Sequence, residues 1–547
     1  MSFAPPTVMA STGDIVAPPN YTSVHSGADV LDEDTRHWAP GLQSFDANFL
    51  DERPMLDART EDSARGSPYV AAAMRTQIHK TVGANYRMSF EPDYVSAGMS
   101  PSQALSFTEN VERLFDCDSQ SDECWFDASG RMTFTELIAC GMHSYQLRGE
   151  VIAVSEWLET ARKKGNRPFA TAVSMINPDR VHTPPMLSED EKLKAGFRLT
   201  NKGYAFGMFV LNRHPGDYQY MNVINDAYAY VTRNTPWRRK KWLHLYNQEA
   251  ADQSRGRAQF IAGLRKHRAF DKLDDAMLSN VILQTLYAAV VESPDPVIAM
   301  QGLMAADPQL SSKADAATIR NKGQYYGGTN ELVMNRAKVA HMYPGDQFKF
   351  LQGNQGLEFY DPYQATISRQ LAKLMDLSYE EFTGDFTKTN YSGSRSGGNQ
   401  SDTSRETIAA RIPAPQARYL STLWLEENCA LGRIPGVPGR TARQRLNWFL
   451  NNKHALCQFS FFGPGVKHID PIKSTESSMN EFKMNVATRR DYCNTFTNQS
   501  WRKVFDQAAL ESEYAKSKGI DLEAGLGIVP PVVPAPTAAP NQEASAA

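Results

Sequence analysis

Two segments of this chain concentrate side chains able to bind anions. The first is Pro236-Trp237-Arg238-Arg239-Lys240-Lys241-Trp242, four consecutive cations bracketed by two tryptophans. It is the core of a stretch, 233–268, that holds ten basic residues and two acidic ones, Glu249 and Asp252. Cations interleaved with aromatics suit contact with nucleic acid, since phosphates take the charge and bases stack on the rings. The same residues equally suit a subunit contact or a solvated face. The second segment is KTNYSGSRSGGNQSDTSR (388–405), which sets Lys388, Arg395 and Arg405 against Asp402. Three Gly and five Ser in eighteen residues predict a flexible loop. A long structureless loop between two helices is uncommon in a compact domain and is often functional.

Residues that do covalent chemistry are not arranged to do it. The chain has no GxxxxGK[ST] phosphate loop, and GPGVK (463–467) is only a Gly/Pro turn. GSRSG (393–397) places Arg395 where a nucleophile elbow needs Ser. HExxH and a dinucleotide fingerprint are both absent. In DKLDDAM (271–277), Asp271 and Asp275 would share a helix face, but no third ligand completes a metal site, so a solvated face is expected. Cys117, Cys124, Cys140, Cys429, Cys457 and Cys493 form no CxxC and have no His at zinc-ligand spacing, which reads as reduced thiols. His79, His143, His341 and His468 are scattered and read as packed or exposed. The expectation is a protein without catalytic residues, metal or cofactor.

Bulk composition narrows the class further. The 547 residues carry 58 Lys+Arg against 61 Asp+Glu, a net charge of −3, and 41% hydrophobic residues. That is the composition of a globular chain of several domains. A protein that holds nucleic acid tightly through bulk charge is usually more basic. Residues 1–35 contain no Lys or Arg, so no secretory n-region is expected. The most apolar stretch, VILQTLYAAVV (281–291), is too short to cross a bilayer.

The elements that must position the two cationic segments read as α+β, mainly helical. Residues 1–65 are rich in Pro, Ser and Asp and predict an extended arm, anchored by Trp38, Phe45 and Phe49, with ordered structure beginning at Ser67-Pro68. Val70, Met74, Ile78 and Val82 recur at helical spacing, and Gly83 is a stop. Further helices are expected from Ser100-Pro101 and over 133–148, then strands over 151–157 and 171–176, then a hairpin over 196–211 turning at Asn201-Lys202-Gly203. One long helix is expected over 255–292, stopped by Ser293-Pro294-Asp295-Pro296, and a second over 363–377, with a mixed insert between them. A helix over 406–427, broken near Pro413 and Pro415, and a helical region over 475–518 complete the chain before a Pro/Ala-rich tail. Residues 1–25 and 528–547 are expected to be disordered.

DFTKTNYSGSRS (385–396) closely resembles the D-Y-(S/T)-x-x-N-Y-S-S-x-R signature of tailed-phage portal proteins of the lambda family. Five other runs resemble that family's blocks in the same order: SARGSPYVAAAMRTQIHKTVGANYRM (63–88), INPDRVHTP (176–184) with the hairpin after it, MYPGDQFKFLQGNQ (342–355), LMDLSYEEFTGD (374–385) and FFGPGVKHIDPIKSTESS (461–478). The matches are collinear from about residue 28 to about residue 520. Gly393 stands where a second Ser is usual, Ser474-Thr475 where Lys-Glu is usual, and 396–402 is richer in Gly than the usual continuation into helix.

The resemblance implies a portal fold assembled as a ring, typically of twelve copies, at one capsid vertex, with double-stranded DNA passing through its centre. It divides the chain into an arm (1–65), a wing (66–254), a first stem helix (255–292), a clip (293–360), a second stem helix (361–383), a tunnel loop (384–404), a wing return (405–470), a crown (471–520) and a tail (521–547). It implies that Lys388, Asn390, Tyr391, Ser394 and Arg395 face the DNA channel, and leaves Arg238, Arg239, Lys240 and Lys241 as candidates for a subunit or partner interface. The implied partners are further copies of the chain, the terminase large subunit, a head–tail connector, and the major capsid and scaffolding proteins. No membrane is implied: the place is the virion, after assembly in the host cytoplasm. The alternatives are another minor head or connector protein, which would be much shorter, and a packaging or DNA-modifying enzyme, which would need the missing nucleotide site.

Overall fold

The computed structural model describes residues 40–217, 228–286, 357–387, 389–465 and 471–518, with short strands at Val8–Met9, Ile15–Val16, Val290–Glu292, Glu331–Met334, Ala337–Ala340 and Gln347–Lys349. Most of the expected clip, the tail, Trp38 and Lys388 therefore lie outside the described residues. The chain forms two compact units. One combines Met1–Ala64, Gln77–Ala258 and Arg405–Ala547; the other combines Arg65–Thr76 and Gln259–Ser404.

The first unit is α+β and mainly helical. Local signals fix its elements. Helix Pro101–Ser119 starts with a capping box between Ser100 and Gln103, and Phe134–Arg148 starts with one between Thr133 and Glu136, each satisfying two backbone donors. Gly149, at φ 73°, ends the second helix in the left-handed region. Strand Glu150–Trp157 follows at once and sits between Trp242–Tyr246 and Thr171–Ile176 in an antiparallel sheet. The expected hairpin is present as Phe197–Leu199 and Ala205–Leu211, extended on its two edges by Leu193–Lys194 and Tyr228–Thr232.

The core of this unit is built on helix Pro413–Leu431, which buries residues on every face. Trp424 meets Phe115 edge-on at 5.2 Å, and Phe115, Phe126, Phe134 and Phe169 continue the aromatic cluster. Some of the polar groups this burial traps are satisfied, while Gln416 Oε1, Ser421 Oγ and Glu426 Oε2 are buried without a hydrogen-bond partner among the described residues. Trp424 Nε1 donates to Asp118 at 2.8 Å, and Glu427 accepts from the Ala170 and Thr171 amides at 2.7 Å each. As the prolines predicted, the preceding helix stops at Arg411 and the new one starts at Pro413.

Two expectations in this unit are corrected. Ordered structure begins before Ser67: helices Phe45–Phe49 and Arg53–Gly66 occupy the end of the supposed extended arm. The second of these was invisible to an apolar periodicity because it buries Arg53, Asp57 and Thr60 instead of hydrophobic residues. The long helix expected from residue 255 starts only at Leu264, in the second unit. Gly256 lies against Gly149 so closely that a Cβ on it would overlap the Gly149 carbonyl, and a 3-10 turn, Gln259–Gly263, precedes the helix.

The second unit centres on two antiparallel helices, Leu264–Leu286 and Leu357–Leu374. Their register is read from three contacts: Gln259 to Asp376 at 2.7 Å, Lys266 to Gln370 at 2.8 Å, and the Tyr360 hydroxyl to Asp274. Phe270, Ile367 and Leu371 are buried here. The second helix begins at Leu357, inside the stretch assigned to the clip. A short helix, Tyr379–Thr383, follows, capped by Ser378 and Glu381 and ended by Gly384 at φ 73°.

Candidate nucleic-acid and assembly interfaces

The segment after Gly384 departs most from expectation. Instead of a structureless loop over 388–405, helix Tyr391–Arg411 runs through it. The Asn390 side chain accepts from the Gly393 amide at 2.7 Å and so supplies the N-terminal cap. Thr389 donates to Glu380 at 2.9 Å, and Ser401, which is buried, donates to Glu381 at 2.7 Å. The short helix Tyr379–Thr383 thus tethers both ends of the Gly/Ser-rich stretch. These contacts offset its poor intrinsic propensity, about 1 kcal/mol for each Gly relative to Ala. Arg395 is exposed on this helix, and Asn390 is exposed but engaged as the cap. The side chains of Tyr391 and Ser394, like Lys388, lie outside the described residues.

The basic run is split between surface and interior. It forms the turn joining strand Tyr228–Thr232 to strand Trp242–Tyr246. Arg238 is exposed and takes a left-handed backbone, φ 65°, at the tip, beside Trp237, which is 55% exposed. Arg239 turns inward: it is buried, donates to Thr171 Oγ1 at 2.5 Å and stands 3.7 Å from Glu426. Lys240 is half-buried over the Tyr419 ring, 5.5 Å from its centroid. Burial, followed by repulsion from Arg233 and Lys453, pushes its pKa down to about 8. Trp242 is fully buried. Within the subunit Arg239 thus acts as an internal counter-ion of the central helix. Arg238 remains presented to the outside.

The paired-carboxylate candidate is not assembled either. Asp271 stands 3.4 Å from His267, and the neighbouring Asp274 receives the Tyr360 hydroxyl. Among the described residues, no three His, Cys, Asp or Glu side chains converge as metal ligands.

Sequence reasoning missed a buried charge network. Glu150 is completely buried at the start of its strand. It accepts from Arg53 at 2.7 Å, from Arg255, and from His244 Nε2 at 2.8 Å. Arg255 also donates to the carbonyls of Pro178, Val181 and Ala195 at 2.8–3.0 Å. Arg148 joins Glu61 at 2.5 Å and Asp179 at 2.9 Å. Burial pushes the Glu150 carboxyl up, but Arg255, Arg53 and His244 outweigh it and hold the group well below the usual carboxylate range. Burial likewise keeps His244 below its ordinary value, against the pull of Glu150. The available signal was polar spacing, Arg53 with Asp57 one helical turn apart.

A family model described as phage portal protein, lambda family, matches residues 32–408. The chain belongs to this family. Its curated relatives include a portal protein of Escherichia phage N15, 24% identical over 92% of each chain, and portal protein B of Escherichia phage lambda, 24% identical over 94% of each chain. Among solved structures it is similar to a chain of a native gene transfer agent virion, at TM-score 0.41 and 11% identity, over 81% of this chain and 92% of that one. A chain from the neck of the native particle gives TM-score 0.37 and 12% identity, over 81% of this chain and 98% of that one.

Proposed function

We propose that this portal-family chain is one subunit of a ring, of about twelve copies, through which double-stranded DNA enters and leaves the phage head. The observation that carries this reading is the family match over 32–408, which includes the 385–396 signature. The helices Leu264–Leu286 and Leu357–Leu374 are the stem, the insert between them is the clip, and the helices from Pro471 to Ser517 belong to the crown. The segment 384–404 faces the channel and presents Lys388 and Arg395, with Asn390, Tyr391 and Ser394, towards the DNA. Arg238, with Lys240 and Lys241 behind it, lies at a subunit or partner contact.

Charge supports this reading. Each fixed phosphate contact adds counterion-release affinity and would act as a brake on a moving duplex. A net charge of −3 with few exposed cations on the channel segment suits passage without gripping. The chain supplies no energy of its own, so a separate terminase drives packaging at the clip, and a connector later replaces it there. Capsid and scaffolding proteins meet the outer parts of the ring, which is built in the host cytoplasm and stays in the virion. The test is direct. Purified chain viewed by negative-stain microscopy should form rings with a central hole, and in an ATPase assay it should hydrolyse no ATP. Lys388→Ala and Arg395→Ala leave ring formation intact and change packaging or DNA retention. Rings unable to form, or variants with unchanged packaging and retention, overturn the respective assignments.

A further inference from the structure

Arg87, on strand Arg87–Phe90, is only 8% exposed, yet among the described residues no carboxylate stands within ion-pair distance of it. Its Nε has no hydrogen-bond partner among those residues, and its guanidinium donates to the Asn494 side-chain oxygen at 2.5 Å. Burial pushes its pKa down and outweighs the more distant pull of Glu112 and Asp116. Buried charges are ordinarily paired, so this one is short of a counter-ion. A guanidinium can only donate. Arg87 therefore holds the Asn494 amide with its oxygen towards the guanidinium and leaves the amide N–H groups to donate elsewhere.

Asn494 is itself buried, in the wall of a cleft of about 380 Å³ that Lys80, Arg405 and Arg418 also line. The one carboxylate in that wall, Glu406, stands 3.7 Å from Arg405. Arg418 has no such partner. Its Nε donates to the Phe459 carbonyl at 3.3 Å, and among the described residues no carboxylate stands within ion-pair distance. Ser460 adds a hydroxyl, and half-buried Phe461 and Phe462 add an apolar wall. The frame of the cleft is fixed. Gly463 lies so close to the Thr81 carbonyl that a Cβ on it would overlap, and Gly83, at φ 69°, seats against Pro464. All of these residues belong to the first unit.

We propose that this cleft binds a phosphate group carried by a ligand of nucleotide size, held by Arg418, Lys80 and the Asn494 amide. Three cations against one carboxylate leave the cleft with two excess positive charges, and Arg87 stands behind its wall. A carboxylate brings one charge and two oxygens. A terminal phosphate brings a charge of about −1.5 to −2 and three oxygens, and so matches this donor set better. The cleft falls within the range of about 300–1,000 Å³ of small-ligand pockets, so it has room for more than a bare ion. Phosphodiesters inside a duplex cannot leave its surface to enter a cleft, whereas a free nucleotide or a phosphorylated DNA end can. The site lies outside 384–404 and does not depend on the channel assignment.

Isothermal titration of the purified full chain with deoxyadenosine monophosphate and with inorganic phosphate tests this, with acetate at matched ionic strength as the control. Both phosphates should bind at a single site per chain, and acetate should not. A 5′-phosphorylated oligonucleotide that binds where its 5′-hydroxyl twin does not supports the proposal and identifies a DNA end as the source. Binding of the mononucleotide alone supports it and identifies a free nucleotide. Arg418→Gln should weaken phosphate binding by about tenfold or more. Asn494→Asp supplies Arg87 with a carboxylate, so it should raise the melting temperature of the chain and abolish phosphate binding. No binding at millimolar phosphate, acetate binding as well as phosphate, or binding indifferent to Arg418→Gln and Asn494→Asp overturns the proposal.

Discussion

Glu150 shows how much of this fold rests on single charged side chains. It has no contact with water and three cationic or hydrogen-bonding partners, Arg53, Arg255 and His244. Removing the carboxylate leaves the buried Arg255 guanidinium without an anionic partner and Arg53 with Asp57 alone, which costs about 3–5 kcal/mol. Glu150→Ala should therefore lower stability by that amount in urea unfolding, and should loosen helix Arg53–Gly66 as judged by hydrogen exchange. The pH dependence has a definite sign. Both Glu150 and His244 have folded pKa values below their unfolded ones, so the unfolded chain binds more protons as pH falls. Their contribution is complete above about pH 6.5, the ordinary histidine value, and is lost below it, first through His244 and then through Glu150. Lys240 is a milder case with the same sign at the other end of the scale. Its pKa of about 8 means that the folded state disfavours the charge at pH 7. After offsetting a cation–π contact with Tyr419 of about 1 kcal/mol, Lys240→Met should stabilise the chain by about 1–2 kcal/mol at pH 7. The difference should shrink as pH rises from about 8 towards about 10.4, measured by thermal unfolding at matched salt.

At the scale of elements, helix Tyr391–Arg411 is a weak helix held from outside. Gly393, Gly397 and Gly398 disfavour it, while the Asn390 cap and the Ser401–Glu381 bond support it. A methyl group at Gly398 meets nothing within 4 Å, so Gly398→Ala should strengthen this helix by about 1 kcal/mol without a steric cost. Slower amide exchange over 392–400 would register the gain. In rings, a stiffer segment should follow the passing duplex less well and change DNA retention. Deleting 392–401 should leave rings able to form and impair the finished head. The helix pair Leu264–Leu286 and Leu357–Leu374 was legible from its periodicity but not in its bounds, since Val290–Glu292 ahead of the proline run is a strand and Pro362 lies inside the second helix; the capped helices were legible from their Ser, Thr and Gly punctuation. The helix through 391–411 was not, because composition reports intrinsic propensity and the tether from Glu380 and Glu381 arises only after folding.

For the molecule as a whole, the near-balanced charge fits the proposed passage of DNA, which works best with few fixed phosphate contacts. Arg238→Glu tests where the basic run acts. It should reduce ring yield in sedimentation while leaving the salt-dependent DNA affinity of the remaining rings nearly unchanged. Arg239→Glu should instead unfold the subunit, since it sets a second negative charge against buried Glu426. A large loss of DNA binding from Arg238→Glu rings would move this turn into the channel.

The linear sequence by itself determined the family, through six collinear blocks, and most of the local elements, because caps, glycine stops, prolines and apolar spacing act over one or two turns of chain. Only the tertiary structure decided which charges face inward. Arg53 and Glu150 are 97 residues apart, and Arg239 and Thr171 are 68 apart, so no local pattern records that they meet. A buried ion pair is stabilising only when folding brings both partners out of water together. Chain spacing therefore left Arg239 indistinguishable from Arg238, and left helix Arg53–Gly66 looking like an unstructured arm.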